Sequence, residues 1–205
     1  MHYKLTEEII ALSSCQYWDS AKQEWDFTYA YMSEEFQTCL CGHYPIREIC
    51  VLRNSVNGNE TEVGNCCVNK FLGIESANKI FISIKRIKDD YSKSMSSEVL
   101  DYLIEKHAIT QFEFDFYADI LRKRNLSEKQ FALKKKINQK LISFTSYEAN
   151  SNFNEINKVL RWAENHPSFD KSFVLSLKAS CSKNGNLTDK QQQALNKIIL
   201  NWKIT

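Results

Sequence analysis

Five of the seven cysteines fall between Cys39 and Cys67, while Cys15 and Cys181 stand alone. Clustered thiolates bind soft or borderline ions, and zinc asks for about four such ligands, tetrahedrally placed at roughly 2.0–2.3 Å. Cys39-Leu40-Cys41-Gly42 has the form of a tight turn that wraps backbone around an ion. A second pair must come from elements that return to it. Cys50 is one candidate, and Cys67 is another, at a predicted helix start where N–H groups help hold thiolate charge. The expected set is Cys39, Cys41, Cys50 and Cys67 around a structural Zn2+. His43 is the alternative to Cys50 and Cys66 the alternative to Cys67, because adjacent cysteines point in different directions. The competing readings are a group of buried apolar thiols, or a strained redox pair at Cys66 and Cys67. An odd cysteine count, and an opening MHYKLTEEII without the basic start and apolar run of a secretion signal, favour reduced thiols and a cytoplasmic location.

The elements that must position these residues follow from periodicity. Residues 5–25 read as one helix or two short ones, with Trp18, Ala21 and Trp25 on one face. Phe27, Tyr29 and Tyr31 alternate with Asp26, Thr28 and Ala30, the period of a strand whose aromatic face seeks a core. Ile49–Asn54 and Asn59–Val63 read as two further strands, joined at Asn57-Gly58 by a tight hairpin turn with positive dihedral angles. A short helix then runs to Leu72, with Gly73 placed to stop it. A longer helix begins near Asn78 and turns Ile80, Phe81, Ile84 and Ile87 inward.

The rest reads as helical and repeats itself. Asn125-Leu126-Ser127-Glu128-Lys129-Gln130 returns as Asn186-Leu187-Thr188-Asp189-Lys190-Gln191, 61 residues on. Both copies place Ser or Thr three residues before Gln, the capping box that satisfies N–H groups at a helix start reciprocally. Each copy therefore predicts a helix, a turn and a newly capped helix, with Phe144–Asn154 as the linker between copies. The expected organisation is a zinc-binding α+β module over residues 1–90, a basic helical hairpin over 95–145 and a second hairpin over 150–205.

Charge is unevenly distributed. Residues 1–78 carry 5 basic and 11 acidic side chains, net −6, whereas residues 79–140 are net +5 and residues 141–205 net +3. Between 122 and 140 stand Arg122, Lys123, Arg124, Lys129, Lys134, Lys135, Lys136 and Lys140 against Glu128 alone. At ~100° per residue, Lys129, Lys136 and Lys140 share a narrow stripe beside Leu133, Ile137 and Leu141. One edge can seat in a core while the other meets phosphates, giving salt-sensitive binding with little sequence preference. A solvated helix face, neutralised by the acidic front of the chain, is the plainer reading. The second copy keeps only Lys190 and Lys197, so a single copy is expected to touch a DNA or RNA backbone.

Around the cysteines the chain resembles a group of small, largely uncharacterised zinc-knuckle proteins of bacteria, phages and large viruses. The shared run is Cys39-Leu-Cys41-Gly-His-Tyr-Pro-Ile46, then Leu52-Arg-Asn54, Asn57-Gly58 and Val63-Gly64-Asn-Cys-Cys67-Val-Asn-Lys-Phe71. The NLTDKQ element, with Phe173 ahead of it, is similar to a helical module of phage and mobile-element proteins. The resemblance spans about residues 16–73 and the repeats. It implies a zinc-binding accessory protein in a treble-clef-like order of knuckle, hairpin and helix, brings no established activity, and leaves open the choice between Cys66 and Cys67.

Apolar residues at 43% and charged residues at 25% exclude a disordered chain or a rod, and two prolines with five glycines leave little for long linkers. No window approaches the ~20 apolar residues of a membrane crossing. His2, His43, His107 and His166 show no triad, no HExxH and no companion phosphate loop, so no catalytic residue is assigned. A treble-clef nuclease with His43 and Asn65 or Asn69 is the remote alternative. The expected work is binding, of a nucleic-acid backbone first. The alternative is a protein partner, with the chain as an adaptor or inhibitor whose acidic and basic halves each recruit a partner; a place in a defence or counter-defence system is what the resemblance implies.

Overall fold

The computed structural model describes residues 3–72 and 76–204. Gly73 and His2 lie outside the described residues. The protein is α+β: among the described residues, ten α-helices accompany one three-stranded antiparallel sheet in the order β1-β2-β3. The chain divides into two compact units, Met1–Lys85 and Arg86–Thr205.

The first unit opens with α1 (Tyr3–Leu12), a short α2 (Trp18–Ala21) and a 3-10 turn at Lys22–Glu24. The break between α1 and α2 is organised by Glu24. Its carboxylate accepts from the N–H groups of Ser14 at 2.7 Å and Cys15 at 2.8 Å, and from Asn54 Nδ2 at 2.6 Å. These bonds favour the ionised form, the Asn54 amide above all, so the carboxyl is held below its ordinary range despite burial.

Strand β1 (Trp25–Gln37) pairs with β2 (Ile46–Asn54), and β2 with β3 (Glu60–Gly64). Tyr29 and Tyr31 are buried and stacked, with ring centroids 6.2 Å apart, so the aromatic face of β1 is a core face. The β2–β3 connection is not the two-residue turn expected at Asn57-Gly58. Asn54 Oδ1 accepts from the N–H groups of Val56 at 2.9 Å and Asn57 at 3.0 Å, and Asn54 N–H reaches Asn59 O at 2.8 Å. That side chain rounds off a longer loop in which Gly58, at φ +76°, takes a left-handed conformation and Asn57 does not. Helix α3 (Asn65–Leu72) follows β3 directly. In α4 (Ser76–Asp89), Ile80, Phe81, Ile84 and Ile87 are all buried, and the division between the units falls inside this helix.

The second unit comprises α5 (Ser97–Glu105), α6 (Gln111–Ile120), α7 (Glu128–Phe144), α8 (Tyr147–Glu164), α9 (Ser172–Asn184) and α10 (Asp189–Asn201). The repeated sequence forms two helix-turn-helix pairs, α6–α7 and α9–α10. Ser127 with Gln130 and Thr188 with Gln191 make complete capping boxes. The expected linker at Phe144–Asn154 is corrected: only Thr145 and Ser146 separate α7 from α8. Ser146 Oγ accepts from Ala149 N–H at 3.1 Å and restarts the helix, while Phe144, Ala149 and Phe153 are buried. A helix start with a polar cap and an apolar face needs no linker residues.

Two outcomes follow from this packing. Gly185 ends α9 at φ +76°, and a Cβ there would lie 2.4 Å from the Ser143 backbone on α7. Gly185→Ala is expected to destabilise the second unit by more than the ~1–2 kcal/mol of a left-handed alanine alone, read by urea unfolding. Glu24 has a lowered folded pKa, so its contribution is complete above the ordinary carboxylate range of about 4.3 and is lost as pH falls through the folded value. Glu24→Gln should therefore lower the melting temperature at pH 7 and remove part of the acid sensitivity seen in the unsubstituted protein.

Candidate metal centre

The connection between β1 and β2 carries Cys39-Leu40-Cys41-Gly42. Gly42 N–H donates to Cys39 O at 2.7 Å, and Cys39 N–H donates to His43 O at 2.9 Å, so the chain doubles back within five residues. Gly42 sits at φ +86°, which lets this turn close without a side-chain penalty. The β2–β3 hairpin then returns the chain, and Cys67 arrives from the first turn of α3. The register that pairs Gly64 with Ile49 brings β3 to the turn, where Gly64 N–H donates to Cys39 Sγ at 3.1 Å.

The result is a triad. The sulfur atoms of Cys39, Cys41 and Cys67 lie within 4.8 Å of one another, and Cys39 Sγ is 3.5 Å from Cys67 Sγ. Cys39 and Cys67 are buried and Cys41 is half-buried. Two thiolates on one tetrahedral zinc at roughly 2.3 Å each lie about 3.8 Å apart, so the spacing suits a shared ion. It is far from the roughly 2.05 Å of a disulfide. The Cys67 thiol donates to Cys39, and the N–H groups of Gly64 and Cys41 add to it, holding the Cys39 thiol below its ordinary range despite burial. The same contact pushes Cys67 up, because its proton is the one being shared, and burial adds to the shift. Cys39 Sγ thus sits among N–H donors of the kind that tune metal-bound thiolates.

The other expected ligands fall elsewhere. Cys50 stands outside the triad: it is fully buried on β2, paired with Ala30 and Val63, and burial raises its thiol above the ordinary range. Strand alternation puts it on the same face as Glu48, about 6.6 Å further along β2, and its sulfur does not join the three that lie within 4.8 Å of one another. His43 and Cys66 are exposed and line the cavity beside the triad, without joining the group of mutually close sulfurs. Cys15 is half-buried with its N–H on Glu24, and Cys181 lies buried in α9 with its thiol pushed up to about 12 by burial.

No protein-family model, curated protein or solved structure matches this chain. A cavity of about 610 Å³ opens beside the triad. Its wall holds Glu48, which accepts from Asn65 Nδ2 at 2.9 Å and pairs with Lys85. Asn65 Nδ2 also reaches Asn78 Oδ1 at 3.1 Å, while Asn65 Oδ1 is buried without a donor. Of this group the sequence pointed to Asn65, in the nuclease alternative, and to Asn78, as a helix start, but not to Glu48 or Lys85.

The basic residues divide sharply. Lys134 is buried and donates to Ser92 O at 2.6 Å, with its pKa lowered by desolvation. It takes the position that Leu195 occupies in the second copy. Lys140 pairs with the half-buried Glu113 at 2.7 Å. Arg122, Lys123, Arg124, Lys129, Lys135 and Lys136 are exposed, Lys123 with Asp119 at 2.6 Å and Lys135 over the Phe131 ring at 4.5 Å.

The triad predicts separable behaviour among the cysteines. Elemental analysis of purified protein should find about one equivalent of transition metal in the unsubstituted chain and in Cys50→Ala, and little in Cys39→Ala or Cys67→Ala. A folded unsubstituted protein free of metal after expression and purification with added zinc would refute the centre.

Proposed function

We propose that this chain is a zinc-organised binding protein that contacts a nucleic-acid backbone through α7 and the turn before it. The donor set supports zinc: three cysteine sulfurs, one already favouring the thiolate, are the ligands a tetrahedral zinc site selects. The order of turn, β2–β3 hairpin and α3 bearing Cys67 in its first turn supports a treble-clef-like reading, in which an ion would tie knuckle to helix.

The observation that carries the nucleic-acid reading is the exposure of Arg122, Arg124, Lys129, Lys135 and Lys136 within one turn and one helix. Lys129 and Lys136 are seven residues apart and lie within about 20° of each other around α7. The same pair recurs, exposed, as Lys190 and Lys197 on α10. Lys134 and Lys140, engaged inside the fold, leave the contact set. Phosphates neutralised by such a face release counterions, so affinity should depend steeply on salt and weakly on sequence.

A protein partner is the second reading, favoured by the C-terminal aromatic surface. Trp202 is half-exposed beside Trp162, at 5.3 Å between ring centroids, and Leu200 is 74% exposed.

Fluorescence polarisation with labelled single- and double-stranded oligonucleotides tests the first reading. Binding is expected at low salt, and the double variant Lys135→Glu, Lys136→Glu should weaken it and reduce the log–log salt slope on duplex by about 1.8. Absence of binding at low salt by a folded, metal-loaded protein would reject it.

A further inference from the structure

We propose that the ion held by Cys39, Cys41 and Cys67 keeps its fourth coordination position for a small organic anion entering from the adjoining cavity. This rests on the metal reading above and goes beyond it, because a zinc that only braces a fold is closed by a fourth side chain.

Three observations converge on an open position. First, no fourth His, Cys, Asp or Glu among the described residues joins the three sulfurs within 4.8 Å. Cys66 precedes Cys67 on α3, and neighbours on a helix diverge by about 100°, so the geometry that aims Cys67 at the triad turns Cys66 aside. Glu48 is already engaged by Asn65 and Lys85. Second, the sulfurs border a cavity of about 610 Å³, inside the range of roughly 300–1,000 Å³ usual for small-ligand sites. Met32, Phe36, Pro45 and Ile46 give it apolar walls. Third, the charges leave room for a negative group. A divalent ion with three thiolates carries −1, and Glu48 offsets Lys85, while Arg47 and Lys70 in the same wall have no ion pair among the described residues. Lys4 Nζ also lies against Gly42 of the cysteine turn, so the balance is positive, and an anion offsets it, which a partly desolvated site favours.

The wall also sets what the occupant must carry. Asn65 has its Nδ2 directed to Glu48 and Asn78, an orientation fixed because a carboxylate only accepts. Its Oδ1 is then a buried acceptor in need of a donor. The fitting ligand is an anionic head for the metal, a hydroxyl or similar donor beside it, and a short apolar body for the walls. A 2-hydroxy acid with a four-carbon tail has all three.

The test uses the full chain reconstituted with Co2+, whose visible ligand-field bands report the ligands directly. The expected result is one bound equivalent, with bands that shift on titration with 2-hydroxyhexanoate at an apparent Kd about tenfold or more below that of acetate. His43→Ala and Cys66→Ser should leave the anion-free spectrum unchanged. If one equivalent binds but the bands ignore both anions, or if either variant alters the anion-free spectrum or releases the ion, the position is filled by protein. The inference then fails while the metal reading stands. If no Co2+ binds, both fail.

Discussion

Three sulfur atoms within 4.8 Å of one another pose an electrostatic problem that the surrounding structure has to answer. As thiolates they repel in a site with little water, and as thiols they are weak partners that justify little ordering. The chain meets part of the demand with N–H donors from Gly64 and Cys41 and a proton shared between Cys39 and Cys67. A divalent ion bound by the three sulfurs would meet the rest. The β1–β2 turn, the β3 terminus and the first turn of α3 converge on this one point, so the position of each depends on how the sulfur charge is satisfied.

Much of this was legible from residue types and spacing. Cys-x-Cys-Gly declares a tight turn, and a cysteine at a predicted helix start declares a second arm. The capping boxes at Ser127 and Thr188 announced their helices from four residues each, because that motif is local and needs no tertiary context. Cys50 shows where such reading stops. Its strand was readable, but its place relative to a turn made elsewhere is set by register, which sequence spacing does not contain. The Glu48, Asn65, Asn78 and Lys85 group was illegible for the same reason, since it joins a strand, a helix start and a second helix.

Lys134 teaches the complementary lesson. In the aligned copies it matches Leu195, and both are buried, so the repeat preserved the position while changing its chemistry. A lysine can occupy an apolar position when its stem packs and its ammonium finds a carbonyl, here Ser92 O. Counting charges along α7 therefore overstates the surface available to a polyanion. The pairing of Lys140 with Glu113 removes another cation: burial raises the half-buried Glu113 carboxyl, and Lys140 and Thr110 more than offset it, holding the group below its ordinary range.

The depth of the first unit's core bears on what the metal is for. A platform with nothing else to fold around would leave the ion responsible for the whole unit. Yet Ile9, Tyr31, Ile49, Leu52, Ile80, Phe81 and Ile84 are fully buried there, drawn from α1, β1, β2 and α4. Apolar burial on that scale is the ordinary means of folding a small unit. The triad lies at the margin of that core, where the wall beside it is a cavity rather than packed side chains. An ion placed there does less to create the fold than to fix one edge of it, aligning the turn and α3 around a space that the hydrophobic core itself does not fill.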